Sequence, residues 1–353
     1  MPPETTGQPA GLVYNANVAM SAPVAARSVA PPAPRSAARR RAVREALVAY
    51  LWIAPAVLII GVFHLLPVLY AAYISLYRWG LAQGPFVGLA NYQRALTDEE
   101  VRTAFLVTIY YVLGTVPAGL VLAFTVAYLL SGRLAGRDAY RAAFFLPYVT
   151  STVAAAMVFG WLFHNQYGVA NYLLGLVGVK PQKWLLEWTP ALQLVLRAIG
   201  ADPGLPELLY GPSLALTVVI LFAIWHSFGF DVVIFLAGLT NIPGELREAA
   251  RLDGANELQL VRYVVLPLLS PTLLFLTVVM TIRAFQVFNQ IYIMTNGGPL
   301  NTTRNLVVLI FQNFYQRTER VGYATAIAML LFVVILAITL LQLRIGERRV
   351  HYG

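Results

Sequence analysis

The sequence predicts an all-α, polytopic membrane protein: six transmembrane helices and a charged helical loop on the cytoplasmic side. Three observations carry this. The 353 residues are 59% hydrophobic and only 12% charged, about half the charged share of roughly 25% in a soluble domain. Several apolar runs exceed the ~20 residues needed to cross a hydrocarbon core. Between two of them lies a charged, helix-prone stretch, EAARLDGANELQ, from Glu248. The chain has no cysteine, which excludes disulfides, thiolate metal sites and a cysteine nucleophile. Its net charge of +9 comes mostly from basic residues beside apolar spans. The positive-inside rule accounts for them, so no nucleic-acid partner is expected.

Residues 1–45 are rich in Pro, Ala and Ser and end in a basic run. Such a segment buries too little apolar surface to offset its ordering entropy, so a disordered cytoplasmic tail is expected. Arg39, Arg40, Arg41 and Arg44 serve it as a topology anchor, with lipid-headgroup binding as the alternative. The six-helix membrane domain is expected over 46–346, and 347–353 form a short second tail. Spans are expected near 47–77, 104–130, 142–164, 213–240, 268–294 and 321–343. The first contains Pro55 and Pro67, tolerated where neighbours satisfy the freed carbonyls. Trp52, Tyr73, Tyr77 and Trp79 fall near its ends, as interfacial aromatics do. The arginine-dense tail beside the first span places both termini inside. The outer loop 165–212 contains WTPALQLVLRAIG, whose Leu192, Leu196 and Ile199 have helical spacing. It reads as a lid, a docking helix or an interfacial helix.

The loop after the fourth span has legible ends. Pro243 suits a first helical turn, Glu245 complements the positive helix end and Gly254 stops a helix over about 243–254. Asn256 and Gln259 have capping-box spacing for a second helix. Ala249 and Ala250 form a small-residue patch flanked by Glu248, Arg251 and Asp253. Lipid-seeking helices set aromatic and leucine faces against Lys and Arg. This one has no aromatic and carries acidic residues, which favours docking to a protein.

This stretch resembles the EAA motif of inner-membrane permease subunits of binding-protein-dependent ABC importers. Glu248-Ala249-Ala250, Gly254 and Leu266-Pro267 keep the motif's spacing, with Val264 in place of isoleucine. FVGLANYQRAL, RAAFFLPY, WLFHNQYGVANYLL, TNGGPLNTT and VGYATAIAMLL follow the order seen in the carbohydrate-uptake subfamily, which is related to maltose and glycerol-phosphate permeases. The resemblance covers roughly 46–346, and departs from the family in the long tail and around 185–212. It implies a type I ABC importer fold and a bacterial or archaeal plasma-membrane location. The implied partners are a second homologous permease, two ATPase subunits and an extracytoplasmic solute-binding protein. It also implies that the loop is a coupling helix seated in an ATPase groove. There Glu248 makes the polar contact, Ala249 and Ala250 pack closely beside Asp253, Gly254 turns the chain, and Leu266 and Pro267 fix the return to the membrane. No cofactor is expected in this chain, ATP and Mg being held by the ATPases. No G-x-x-x-x-G-K-[ST] occurs, which agrees with a transport subunit that is not itself an enzyme.

Polar residues inside spans mark a substrate path or interhelical bonds. In the fifth span Arg283, Gln286 and Gln290 recur at i, i+3 and i+7 beside Asn289, one face of a helix. In the fourth, Ser227 and Asp231 share a face next to His226. Asp231 either pairs with Arg283 or meets substrate. Amides and hydroxyls suit a sugar, with a phosphorylated polyol such as glycerol phosphate as the alternative. An ion-coupled transporter would show internal repeats, and none is seen. A membrane enzyme lacks any catalytic motif or metal-ligand set.

Overall fold

This computed structural model of the chain describes residues 35–132, 136–201 and 204–347. The chain divides into two compact units, residues 1–63 and 64–353. Most of the expected tail, residues 1–34, lies outside the described residues, as do Arg133 and residues 348–353. In the first unit, helix α1 (Arg35–Ile60) begins ten residues before the expected end of the tail. Arg and Ala dominate that stretch, and their high helix propensity extends the helix outward.

A π turn, Gly61–Leu65, precedes α2 (Leu66–Ser75). A second, Val261–Val265, precedes α12 (Leu266–Leu268). Each ends two residues before a proline, Pro67 or Pro267. A proline has no N–H to donate, and its ring crowds the carbonyl four residues back, here Phe63 or Tyr263. Widening that turn removes the conflict without breaking the span.

A hairpin of β1 (Tyr77–Trp79) and β2 (Gln83–Phe86) follows α2. Tyr77 meets Trp79 and Phe86 edge-on there, at 6.2 and 5.2 Å. After α3 (Ala90–Thr97), the Asp98 carboxylate caps α4 (Glu99–Ser131) by accepting from the Glu100 amide at 2.9 Å. It also accepts from the Tyr323 hydroxyl at 2.6 Å. Burial pushes the Asp98 carboxyl up, but these two bonds together with Arg94 and Arg320 hold it below its ordinary value.

Five stretches have the length and composition to cross a membrane: Val43–Ser75, Glu99–Ser131, Leu214–Thr240 (α9), Ser270–Met294 and Thr318–Glu347. The sixth, expected as one helix over 142–164, is broken. Helices α5 (Arg137–Val149) and α6 (Thr152–Leu162) meet at 96°. Pro147 weakens the last turn of α5, and the Thr150 amide and hydroxyl both turn back to the Pro147 carbonyl. The hydroxyl-rich VTST run thus ends one helix and starts another. In the outer loop, α7 (Val169–Leu176) and α8 (Ala191–Ala198) form; α8 is the helix expected from its leucine spacing.

The loop after α9 holds α10 (Gly244–Leu252) and α11 (Glu257–Leu260), as its caps predict. Then come α13 (Ser270–Phe285), α14 (Asn289–Met294), α15 (Leu306–Phe311) and α16 (Val321–Glu347). The fifth span is therefore not one uninterrupted helix. It breaks over 286–288, where Phe288 leaves helical geometry (φ −136, ψ −61) and Asn305 Nδ2 donates to the freed Val287 carbonyl at 2.6 Å. The expected i, i+3, i+7 stripe through Gln290 is accordingly split between α13 and α14.

One apolar core is built around Tyr111, Leu216, Phe285 and Ile327, and a second around Leu130, Phe235, Leu260 and Leu276. Both draw on α4 and α9. The broken span leans on α9 at Gly229, where a Cβ would run into the Phe144 carbonyl and the Phe145 Cα. Backbone cannot yield as a side-chain tip does, so Gly229→Ala should cost about 3 kcal/mol, the upper end of overpacking penalties. Thermal unfolding of the purified protein in detergent would register this as a clear fall in Tm.

Candidate functional site

The structure brings all six residues expected along the substrate path to one cavity of about 290 Å³, near the lower end of ligand pockets at roughly 300–1,000 Å³. Asp231 and Ser227 come from α9, Arg283 from α13, Gln286 from the break, and Asn289 and Gln290 from α14. Losing the single-helix stripe does not disperse them. The break turns α14 so that its first residues still face the space lined by Arg283.

Asp231 and Arg283 pair directly, with Nη2 donating to Oδ1 at 2.5 Å. The Asp231 side chain is 1% exposed and that of Arg283 34%. Arg283 also lies over the Phe230 ring, 5.2 Å from its centroid. Both line the cavity, the guanidinium being the more exposed of the two, and each charge is matched by the other. The rest of the polar lining consists of hydroxyl, amide and imidazole groups. Gln290 Nε2 donates to the Tyr111 hydroxyl at 2.9 Å. Ser227 lines the cavity but donates to the Ala223 carbonyl of its own helix. The break between α5 and α6 places the Thr150 carbonyl and Thr152 hydroxyl each 3.4 Å from His226 Nε2. Tyr111, Tyr148 and Thr152 were not singled out from the sequence. The Tyr111–Gln290 contact joins residues 179 apart, and no local pattern announces it.

The loop carries the other expected residues. The helix α10 ends in a Schellman motif: the Ala255 amide donates to the Ala250 carbonyl, and the Gly254 amide to that of Arg251. That closure needs a left-handed residue, and Gly254 supplies it at φ +85. Pro243 sits one position earlier than expected, as the extended cap rather than in the first turn. The capping box is complete, with Asn256 and Gln259 exchanging two bonds of 2.9 Å. Glu248, Ala249, Asp253 and Gly254 are exposed, whereas Ala250 packs on the core around Leu260. Leu266 and Pro267, half-buried, open α12 directly after the π turn. Two large apolar side chains flank the glycine turn in the open, Leu252 at 88% and Leu258 at 78%.

Removing one member of a buried ion pair strands the other, which costs more than removing both. Arg283→Gln should therefore destabilise the protein by about 3 kcal/mol, and adding Asp231→Asn should restore most of the loss. The Tm order in detergent, single variant below double variant, checks this.

Residues 105–352 match the family described as the binding-protein-dependent transport system inner membrane component. The trehalose/maltose transport system permease protein MalF of Thermococcus litoralis is 33% identical over 308 residues, covering 87% of this chain and 96% of that protein. The sn-glycerol-3-phosphate transport system permease protein UgpA of Agrobacterium fabrum is 31% identical, covering 86% and 96%. A bacterial ABC transporter involved in import of the acidic polysaccharide alginate shares the fold, with a TM-score of 0.70 at 20% identity over 87% of this chain and 98% of that one. The broken third span, the paired charges lining the cavity and the EAA loop thus belong to a multi-pass permease of known type: the chain is a member of the family of inner-membrane components of binding-protein-dependent transport systems.

Proposed function

We propose that this chain forms half of the translocation pathway of an ATP-driven importer for an uncharged sugar. A second homologous permease completes the pathway, and an extracytoplasmic binding protein delivers the solute. Two ATPase subunits, which hold ATP and Mg, dock on the α10–α11 loop. Both termini then lie on the ATPase side. Glu248 and Asp253 orient the docking, Ala249 allows close approach, and the Gly254 turn presents Leu252 and Leu258 to the partner.

The observation that carries the sugar reading is charge neutralisation in the cavity. Its one guanidinium, on Arg283, is bonded to Asp231. A phosphorylated solute would have to break that pair or enter without a counter-charge. Sugar hydroxyls instead find the amides of Gln286, Asn289 and Gln290 and the hydroxyls of Tyr148 and Thr152. Trehalose/maltose and arabinooligosaccharide permeases stand among the similar chains, beside the glycerol-phosphate one. ATPase closure tilts the spans attached to the loop, and the cavity opens alternately to the two sides.

Uptake by right-side-out proteoliposomes holding the assembled transporter, with ATP enclosed and the binding protein outside, tests this reading. ATP-dependent entry of a neutral oligosaccharide is expected, with glycerol phosphate excluded. Entry driven by an ion gradient without ATPases would contradict it. Glu248→Lys should cut uptake about tenfold by setting the wrong charge against the partner, while leaving Tm unchanged because the side chain is exposed.

A further inference from the structure

The α10–α11 loop is joined in the chain to α9 and α13, yet its shortest side-chain bond reaches a different span. The Tyr128 hydroxyl, three residues from the end of α4, donates to Glu257 Oε2 at 2.7 Å. Arg251 Nη2, across the glycine turn, donates to Glu257 Oε1 at 2.8 Å. One carboxylate therefore binds α4, α10 and α11 together, with both oxygens engaged. Arg247 adds a bond from α10 to the Leu239 carbonyl at 2.9 Å. The Tyr128 hydroxyl and then the Arg251 guanidinium hold the Glu257 carboxyl below its ordinary value, so it is ionised at neutral pH.

The far side of the tyrosine is anchored as well. Its ring stacks on Phe124 at 6.0 Å, and Phe124 meets Phe235 of α9 edge-on at 5.8 Å. Following α4 away from the loop, roughly 25 Å of helix at 1.5 Å per residue leads from Tyr128 to Tyr111. Tyr111, Thr115, Val116 and Gly119 line the cavity, and Tyr111 holds Gln290.

We propose that Tyr128, Glu257 and Arg251 form a clasp that makes the second span move with the docking loop, so that ATPase motion reaches the Tyr111 side of the cavity through α4 as well as through α9 and α13. This rests on the reading of the loop as the ATPase-docking element. Tyr128 and Glu257 are positioning residues: they touch neither solute nor nucleotide. The clasp borders a pocket of about 560 Å³ lined by Ser131, Gly132, Arg247 and the three clasp residues. The bonds are therefore not held shut by packing on all sides, and the polar contacts themselves supply the link.

The test uses the assembled transporter with its binding protein in vesicles, and reads solute imported per ATP hydrolysed. Loss of overall folding lowers both quantities together, whereas loss of the clasp lowers their ratio. Tyr128→Phe removes the hydroxyl and keeps the ring on Phe124. The ratio should fall about fivefold, the weight of one partly exposed hydrogen bond to a charged group. A normal ratio in Tyr128→Phe beside a lowered one in Glu248→Lys overturns the clasp and leaves the docking reading standing. Normal ratios in both overturn the two together. A second measurement exploits the absence of cysteine in the chain. In the double variant Tyr128→Cys/Glu257→Cys, closure with a short bis-maleimide should restore the ratio to within about twofold of the parent, because the covalent link replaces the clasp. Arrest of uptake by the same link would show that the contact must open in each cycle, and would overturn the proposal.

Discussion

Two opposite charges in the apolar interior set the terms for the rest of the molecule. Asp231 is almost fully enclosed, and an isolated carboxylate there would be severely penalised. Its bond to Arg283 removes that penalty and fastens α9 to α13. These are the helices that the α10–α11 loop connects. A force on the loop therefore acts on two spans already joined within the membrane. The same bond cancels the only full charges among the described residues lining the cavity, so the rest of its polar surface is hydrogen-bonding rather than ionic.

Elsewhere the fold follows from how backbone groups are satisfied where no water is at hand. Prolines at 67 and 267 are accommodated by π turns, and Asn305 answers the Val287 carbonyl exposed by the break after α13. The α5–α6 break brings Thr150 and Thr152 to His226. Interruptions of this kind place polar backbone and side chains beside the cavity. An unbroken helix would have spent its backbone groups within itself.

Much of this is legible in the sequence where the signal is local. The α10–α11 loop could be read closely because its caps, glycine stop and capping box are short-range, and the structure places each within a residue of expectation. The stripe through Arg283, Gln286 and Gln290 does lead to one cavity, but not by the single helix it assumed. The helix it assumed is broken, and what tips the chain at 286–288 is a bond from Asn305, 18 residues on. The single-helix reading of the third span failed because VTST looks apolar enough to cross, while its hydroxyls and Pro147 favour ending a helix. Tyr111 and Tyr128 escaped notice because their partners lie 179 and 129 residues away. Apolar tyrosine-bearing helices carry no mark of such distant contacts.

The central claim is that the α10–α11 loop and the cavity wall it leads to form one mechanical body, with the Asp231–Arg283 pair at its centre. A pulsed electron-resonance distance between spin labels at Ala249, exposed on the loop, and Leu221, exposed on α9, measures this most directly. The cysteine-free chain makes both labels unique. In the assembled transporter the distance should be the same without nucleotide and with ATP bound. A change on the order of one helical turn, about 5 Å, would mean that the loop moves independently of the span, and would contradict the claim.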